Sequence, residues 1–159
     1  MVDIRPAMPQ DAGGIVEIYN QIIRDTTITF APDEKSEAEI AAQIAQAEAY
    51  LVACDGPQVL GFASYAPFRK GPGYAGVKEH SICLAQAARG DGLGAALLGA
   101  LEDQARAQGV VHMVAGVSGE NAAGIAFHAR HGYKTVGHLP EIGQKFGRRL
   151  DLVLMQKTL

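Results

Sequence analysis

The sequence is poor in cysteine, in long apolar runs and in basic charge, and each shortage excludes a class of protein. Its two cysteines, Cys54 and Cys83, form no Cys-x-x-Cys pair, which argues against a disulfide framework or a zinc site and favours the reducing cytoplasm. The most apolar run, 93–101, is too short to cross a bilayer, and the first residues lack the apolar core of a signal peptide. With 14 basic and 17 acidic residues, the chain has no positive surplus for coating nucleic acid. We therefore expect a cytoplasmic protein with no metal, no membrane and no nucleic-acid partner.

The apolar patterning predicts one α+β domain over residues 1–159. The predicted strands are 2–7, 50–54, 59–66, 77–84, 110–117, 133–139 and 150–156, and the predicted helices begin near 11, 36, 92 and 121. Short turns make the early strands antiparallel, whereas the helix between 77–84 and 110–117 requires a parallel, right-handed crossover. The segment 140–149 is expected to connect the last two strands. The result is a mixed, mostly antiparallel seven-stranded sheet with about four helices on its two faces.

A glycine-rich motif, "QAARGDGLG" at 86–94, lies between a predicted strand and a predicted helix. Its spacing excludes the P-loop and the Gly-x-Gly-x-x-Gly dinucleotide fingerprint. The position favours an anion, because the first amides of a helix are unpaired and the helix dipole is positive there. Glycines at 90, 92 and 94 would let a diphosphate approach, and Arg89 adds a charge. A turn that serves only packing is the alternative for an isolated motif of this kind.

The stretch "QAARGDGLGAALL" resembles the Gln/Arg-x-x-Gly-x-Gly/Ala motif of the GNAT superfamily of N-acetyltransferases. In that superfamily the motif holds the pyrophosphate of acetyl-coenzyme A, and the predicted element order matches its fold. A narrower resemblance covers almost the whole chain: "EHSICL", "NAAGIAFHARHGY" and "VGHLPEIGQKFGR" are similar to the phosphinothricin and methionine sulfone/sulfoximine N-acetyltransferases. This resemblance implies the GNAT fold, acetyl-coenzyme A as cosubstrate, direct acetylation of the α-amine of a small amino acid analogue, and a homodimer.

Two residues are candidates for the proton transfers. Acetylation of an ammonium requires a base, and the departing thiolate requires an acid or tolerance as an anion. Glu79 lies in an apolar strand pattern, where burial would raise its pKa toward that of a useful base acting through water. His128 stands where many GNAT enzymes have a tyrosine acid, and a histidine can donate near neutral pH. A solvent-facing glutamate and a helix histidine with no catalytic part are the alternatives.

The resemblance also implies two sets of binding residues. Backbone groups of 82–84 would pair with the pantetheine arm as an added strand, with the Leu84 amide as an oxyanion donor, and Asn121 would cap its helix and contact the arm. The predicted cofactor-binding residues are Ile82, Cys83, Leu84, Arg89, Gly90, Asp91, Gly92, Leu93, Gly94, Ala95 and Asn121. The predicted acceptor-binding residues are Phe30, Arg69, Lys70, Gly71, Tyr74, Glu79, His80, Ser81 and Arg148.

The cations in the acceptor set are expected because the acceptors carry a carboxylate and a tetrahedral polar head. Bidentate geometry favours Arg69 and Arg148, with Lys78, Lys145 and Arg149 as further candidates, and a solvated surface charge is the alternative for each. Glu79 and His80 can face the acceptor together only if their strand is bulged, since neighbours on a strand point to opposite faces.

Three departures from the narrower family, Ala75, Lys78 and Arg149, leave the exact acceptor open. A GNAT enzyme for another small amine or a protein N-terminus is one alternative. An acyl-coenzyme A sensor without turnover is another.

Overall fold

The computed structural model describes all 159 residues, and a single seven-stranded sheet runs through it. The strands are β1 (Val2–Pro6), β2 (Ala49–Asp55), β3 (Gln58–Pro67), β4 (Val77–Leu84), β5 (His112–Ser118), β6 (Lys134–Lys145) and β7 (Arg148–Thr158). The helices are α1 (Ala12–Asp25), α2 (Glu37–Gln46), α3 (Leu93–Ala107) and α4 (Ala122–Arg130). The strand order is β1-β2-β3-β4-β5-β7-β6, and β4–β5 is the parallel pair in an otherwise antiparallel sheet. The predicted fold class is therefore confirmed.

The helices cover both faces of the sheet because each presents an apolar stripe to it. On one face, Ile15 and Ile22 of α1 pack with Val52 and Phe62 of the sheet. On the other face, α3 and α4 cover the larger core around Leu97. At the start of α2, Ser36 and Glu39 cap each other's backbone amides at 3.1 and 2.7 Å, which confirms the predicted capping box. No helix combines the length and the apolarity that crossing a bilayer requires.

The parallel pair β4–β5 separates halfway along its length. The ladder ends at the pair His80 and Ala115, although β4 continues to Leu84 and β5 to Ser118. Beyond that point β4 stays paired with β3, and β5 stays paired with β7. The two strands therefore diverge and open a gap in the middle of the sheet, where backbone groups of β4 face no neighbouring strand.

The prediction that 140–149 is a connection was wrong, because β6 and β7 form a long hairpin that reaches Lys145 and Arg148. Phe146 and Gly147 make the two-residue turn, with φ of 52° and 70°, as a type I′ turn requires. Pro140 is tolerated because β6 is an edge strand. A bulge follows at Glu141, whose amide donates to the Asp151 carboxylate at 2.8 Å.

Candidate active site

Two cavities meet at the gap between β4 and β5. The inner cavity measures about 280 Å³ and the glycine-loop cavity about 520 Å³. Residues common to both linings are Ile22, Ile28, Ile82, Cys83, Asn121 and His128. Because they share these walls, the two cavities form one passage that enters beside α3 and ends between α1 and the sheet.

The glycine loop forms the outer part of this passage. Gly90 and Gly92 have φ of 94° and 81°, and a Cβ built on either would meet no protein atom within 4 Å. Arg89 lines the same cavity and donates to the Leu84 carbonyl at 3.4 Å. The loop thus offers open space, a positive charge and the unpaired amides of the first turn of α3 in one place. Of the predicted loop residues, Arg89, Gly90, Gly92, Gly94 and Ala95 line the cavity, and Asp91 and Leu93 do not.

The exposed edge of β4 forms the middle of the passage. Ile82, Cys83 and Leu84 all line the glycine-loop cavity, on the part of β4 that has no partner in β5. The resemblance assigned these residues to a strand-like contact with an extended ligand, and the free edge can provide one. Burial raises the pKa of the Cys83 thiol to about 12, so this sulfur stays protonated near neutral pH.

Glu79 lies just before the gap, on the face of the sheet covered by α1 and α2. The pairing of β3 with β4 runs without a bulge from Lys78 to Leu84, so Glu79 and His80 point to opposite faces. The Glu79 carboxylate lies over Gly116, where a Cβ would come 2.8 Å from its Oε2 atom. Gly116 lines the inner cavity. Burial alone raises the pKa of Glu79, with no neighbouring cation to offset it.

His80 and His128 form a buried pair on the opposite face of the sheet from Glu79, with their Nε2 atoms 3.0 Å apart. The His128 Nδ1–H donates to the Gly124 carbonyl at 2.7 Å, so the neutral ring has a bare Nε2 that accepts from the Nε2–H of His80. Nδ1 of His80 is then left without a proton and without a partner. Burial lowers the pKa of His80 to about 3 and also lowers that of His128, so both rings are neutral near pH 7.

Asn121 begins α4 and borders both cavities. Its Oδ1 accepts from the Gly124 amide at 3.0 Å, which confirms the predicted helix cap. The same Gly124 holds His128 through its carbonyl, so one residue orients two candidate site residues. Gly124 must lack a side chain, because a Cβ there would lie 2.3 Å from Nδ2 of Asn121. That Nδ2 remains available to a ligand.

Some of the predicted acceptor residues line the inner cavity, and the others line neither cavity. Phe30, His80 and Ser81 line the inner cavity. Arg69, Lys70, Gly71 and Tyr74 lie in the exposed loop before β4 and line neither cavity. Arg148 lies outside both and binds Glu120 at 2.8 and 3.1 Å.

Of the three further cations, Arg149 is exposed and lines neither cavity, and the other two are engaged elsewhere. Lys78 pairs with Glu48 at 2.7 Å, and Lys145 is buried against backbone carbonyls. None of the 20 residues that line the inner cavity is Lys, Arg, Asp or Glu. With neutral histidines, the inner cavity therefore carries no formal charge.

Several lining residues were missed by sequence reasoning. In the inner cavity they include Tyr19, Gln43, Tyr50, Phe62, Ser64 and Leu152, and in the glycine-loop cavity Ala123, Phe127, Arg130 and His131. The α4 residues had a detectable signal, since 123, 127 and 131 fall on one helix face together with 124 and 128. The inner-cavity residues had none, because their patterns match ordinary core positions.

Comparisons with known proteins assign the chain to a family. Residues 15–133 match the acetyltransferase (GNAT) family. The chain is 43% identical to an L-methionine sulfoximine/L-methionine sulfone acetyltransferase of Pseudomonas paraeruginosa, covering 98% of this chain and 94% of that protein. It is 32% identical to a phosphinothricin N-acetyltransferase of Streptomyces coelicolor, covering 99% and 96%. The crystal structure of a GNAT superfamily phosphinothricin acetyltransferase from Sinorhizobium meliloti in complex with AcCoA superposes with a TM-score of 0.93 at 34% identity, covering 99% of this chain and 88% of that one. The chain therefore belongs to the acetyltransferase (GNAT) family, as its glycine motif and element order predict.

Proposed function

We propose that this N-acetyltransferase moves the acetyl group of acetyl-coenzyme A directly onto the α-amine of a small amino acid analogue of the methionine sulfone or sulfoximine type. The observation that carries the proposal is the continuous passage from the glycine loop, along the free edge of β4, to a small uncharged cavity. The outer part suits an anionic, extended cofactor. The inner part suits a small acceptor, not a polypeptide.

The residues of the outer passage fit acetyl-coenzyme A. The amides of the first turn of α3 and the Arg89 guanidinium would hold the diphosphate, which can approach because Gly90 and Gly92 leave open space. Backbone groups of 82–84 would hold the pantetheine arm, with Nδ2 of Asn121 as a further donor. When bound there, this cosubstrate supplies the activated thioester carbonyl.

Glu79 is the proposed base for the acceptor amine. Its raised pKa makes the carboxylate a better proton acceptor than an exposed glutamate. Because the carboxylate borders the inner cavity through Gly116 and does not line it, a water molecule would carry the proton between amine and carboxylate.

We assign the second proton transfer to the His80–His128 pair as a unit. In the neutral pair, His128 has no proton to give to the cavity, since its Nδ1–H is held by Gly124 and its Nε2 accepts from His80. The pair must gain a proton before His128 can serve the leaving sulfur. The acceptor ammonium would lose one proton through water to Glu79, which returns it to solvent. A second proton would leave the nitrogen for the His80–His128 pair as the carbon–nitrogen bond forms, and the pair would pass it to the sulfur as the carbon–sulfur bond breaks.

A free-thiol release assay tests the function. We expect release from acetyl-coenzyme A only when an acceptor is present, with no stoichiometric burst in its absence, because the protonated Cys83 is a poor nucleophile for a covalent intermediate. Methionine sulfone and sulfoximine should have kcat/KM values about tenfold above that of phosphinothricin, whose anionic head has no cation to meet in the inner cavity. Binding of acetyl-coenzyme A without thiol release for any amine would instead support the sensor alternative.

We also propose that the chain forms a homodimer in the cytoplasm. The edge strand β6 and its turn expose three apolar side chains, Val136, Ile142 and Phe146, at 60%, 57% and 57%. An exposed apolar edge strand is suited to cover by a second copy. Both cysteines are free, which suits a reducing compartment. Light scattering during size exclusion should give twice the chain mass, and should give a monomer for Val136→Lys with Ile142→Lys.

A further inference from the structure

The ring of Phe30 rests directly on the backbone of β6. A Cβ built at Gly143 would lie 2.4 Å from both Cδ2 and Cε2 of Phe30, well inside contact distance. Phe30 belongs to the loop between α1 and α2, which forms one wall of the inner cavity. Gly143 is not itself a lining residue, so the ring separates it from the cavity.

The backbone of this loop is held in place from the same hairpin. Lys145, only 4% exposed, donates from its Nζ to the carbonyls of Thr26 and Thr29, each at 2.8 Å. The Thr27 hydroxyl donates to Glu120 at 2.8 Å, and Glu120 is bound in turn by Arg148. Because the loop is fixed at Thr26, Thr27 and Thr29, it cannot shift as a whole to relieve a contact with the Phe30 ring.

We propose that Gly143 is a specificity-determining residue, which sets the depth of the inner cavity by letting the Phe30 ring recede onto β6. The depth in turn limits the length of the acceptor side chain. This inference rests on the proposed function, since it assigns the inner cavity to the acceptor. Any side chain at position 143 would drive the ring by about 1 Å or more toward the cavity, because two carbons pack at about 3.5–4.0 Å.

The Gly143→Ala variant tests the proposal. Its φ is not in the left-handed region, so the added methyl acts by contact with Phe30 and not through backbone strain. We expect the kcat/KM ratio of methionine sulfone to the one-methylene-shorter S-methylcysteine sulfone to fall by about tenfold, the effect of one methylene in a tight pocket. Acetyl-coenzyme A affinity should not change, since neither residue lines the glycine-loop cavity.

The chain offers a matched control on the same strand. Gly137→Ala adds a methyl to the same face of β6, but its Cβ would lie at an ordinary 3.8 Å from Leu154 and away from Phe30. This variant should keep the wild-type ratio. Combining Gly143→Ala with Phe30→Leu should remove the effect of the alanine, because the clashing ring is gone. An unchanged ratio in Gly143→Ala, or an equal change in Gly137→Ala, would overturn the proposal.

A second readout separates this inference from the proposed function. Fluorophenylalanine labelling places one fluorine on each of the five phenylalanines, and loss of a signal in Phe30→Leu identifies the Phe30 resonance. Gly143→Ala should shift that resonance and Gly137→Ala should not, whatever the acceptor. A shifted resonance with no turnover of any sulfone would reject the proposed acceptor but would still show that position 143 controls the placement of the Phe30 ring. An unshifted resonance would reject the role of Gly143 even in an active enzyme.

Discussion

The kcat of the Glu79→Gln variant should be about a thousandfold below that of the wild type, and its affinity for acetyl-coenzyme A should be unchanged. Loss of a positioned general base costs roughly 10²–10⁴ in rate. Glutamine keeps the shape of the side chain over Gly116 and removes only its ability to accept a proton. Since Glu79 lines neither cavity, the cofactor contacts remain. Steady-state kinetics with methionine sulfone and calorimetric titration with acetyl-coenzyme A measure the two quantities.

The pH dependence gives this assignment a second check. In the wild type, kcat/KM should fall as the pH is lowered through the pKa of Glu79, which burial raises above the usual carboxyl value. No step is expected at the ordinary histidine pKa of about 6.5, because burial lowers the pKa of both His80 and His128 from that value. The residual rate of Glu79→Gln should lack the acidic limb. Near-normal turnover in this variant, or an unchanged acidic limb, would remove Glu79 from the mechanism.

Protein stability should move in the opposite direction to activity. A carboxyl with a raised pKa in the folded state favours its protonated form there, so its contribution to stability is present below the unfolded pKa and is lost as the pH rises through the folded pKa. Near neutral pH the wild type therefore carries a half-buried charge that destabilises the fold. Glu79→Gln, which cannot ionise, should have a higher Tm than the wild type at pH 7 and a similar Tm at pH 4, which also shows that its lost activity is not lost folding.

The fold was predictable because its signals are local. Local patterns located all four helices and all seven strands, although not the full length of β6 and β7, and the capping box at Ser36 and the crossover between β4 and β5 followed from short stretches of chain. The long β6–β7 hairpin was missed for a physical reason. Its turn is Phe146-Gly147 rather than Asn-Gly, and Pro140 and the bulge at Glu141 interrupt the alternation that identifies a strand.

The two halves of the site were not equally predictable. In the proposed cofactor half, the segment 82–95 is contiguous in sequence, so its glycines and Arg89 could be identified before any tertiary contact was known. The proposed acceptor half brings together Tyr19, Gln43, Phe62 and Leu152, which only the folded chain places side by side. Charge reasoning also favoured cations for the acceptor, yet Lys78, Arg148 and Lys145 bind Glu48, Glu120 and backbone carbonyls, respectively. Partner choice among surface charges depends on distances that a sequence does not contain.

The Gly92→Val variant should weaken acetyl-coenzyme A binding by about a hundredfold. Gly92 has a φ of 81°, and its carbonyl accepts from the Ala96 amide at the start of α3. A branched residue is strained in the left-handed region by about 1–2 kcal/mol. Relief of that strain rotates the first amides of α3, and a hydrogen bond to a charged group is worth about 1.5–3 kcal/mol. Because strain is shared by the free and bound protein, the loss of affinity comes from the displaced amides, and about 2.8 kcal/mol for one such bond is two factors of ten in Kd.

Gly99→Ala is the matched control, because it adds a side chain to the same helix at a position where the side chain would contact no other residue. Gly99 has no left-handed φ, and a Cβ there meets nothing within 4 Å. Alanine should raise the free energy of unfolding by about 0.5–1 kcal/mol and leave the Kd unchanged. Titration calorimetry and denaturant unfolding separate the two effects. A Kd for Gly92→Val within a fewfold of the wild type would mean that the diphosphate is held by Arg89 and other side chains, and that the helix amides contribute little.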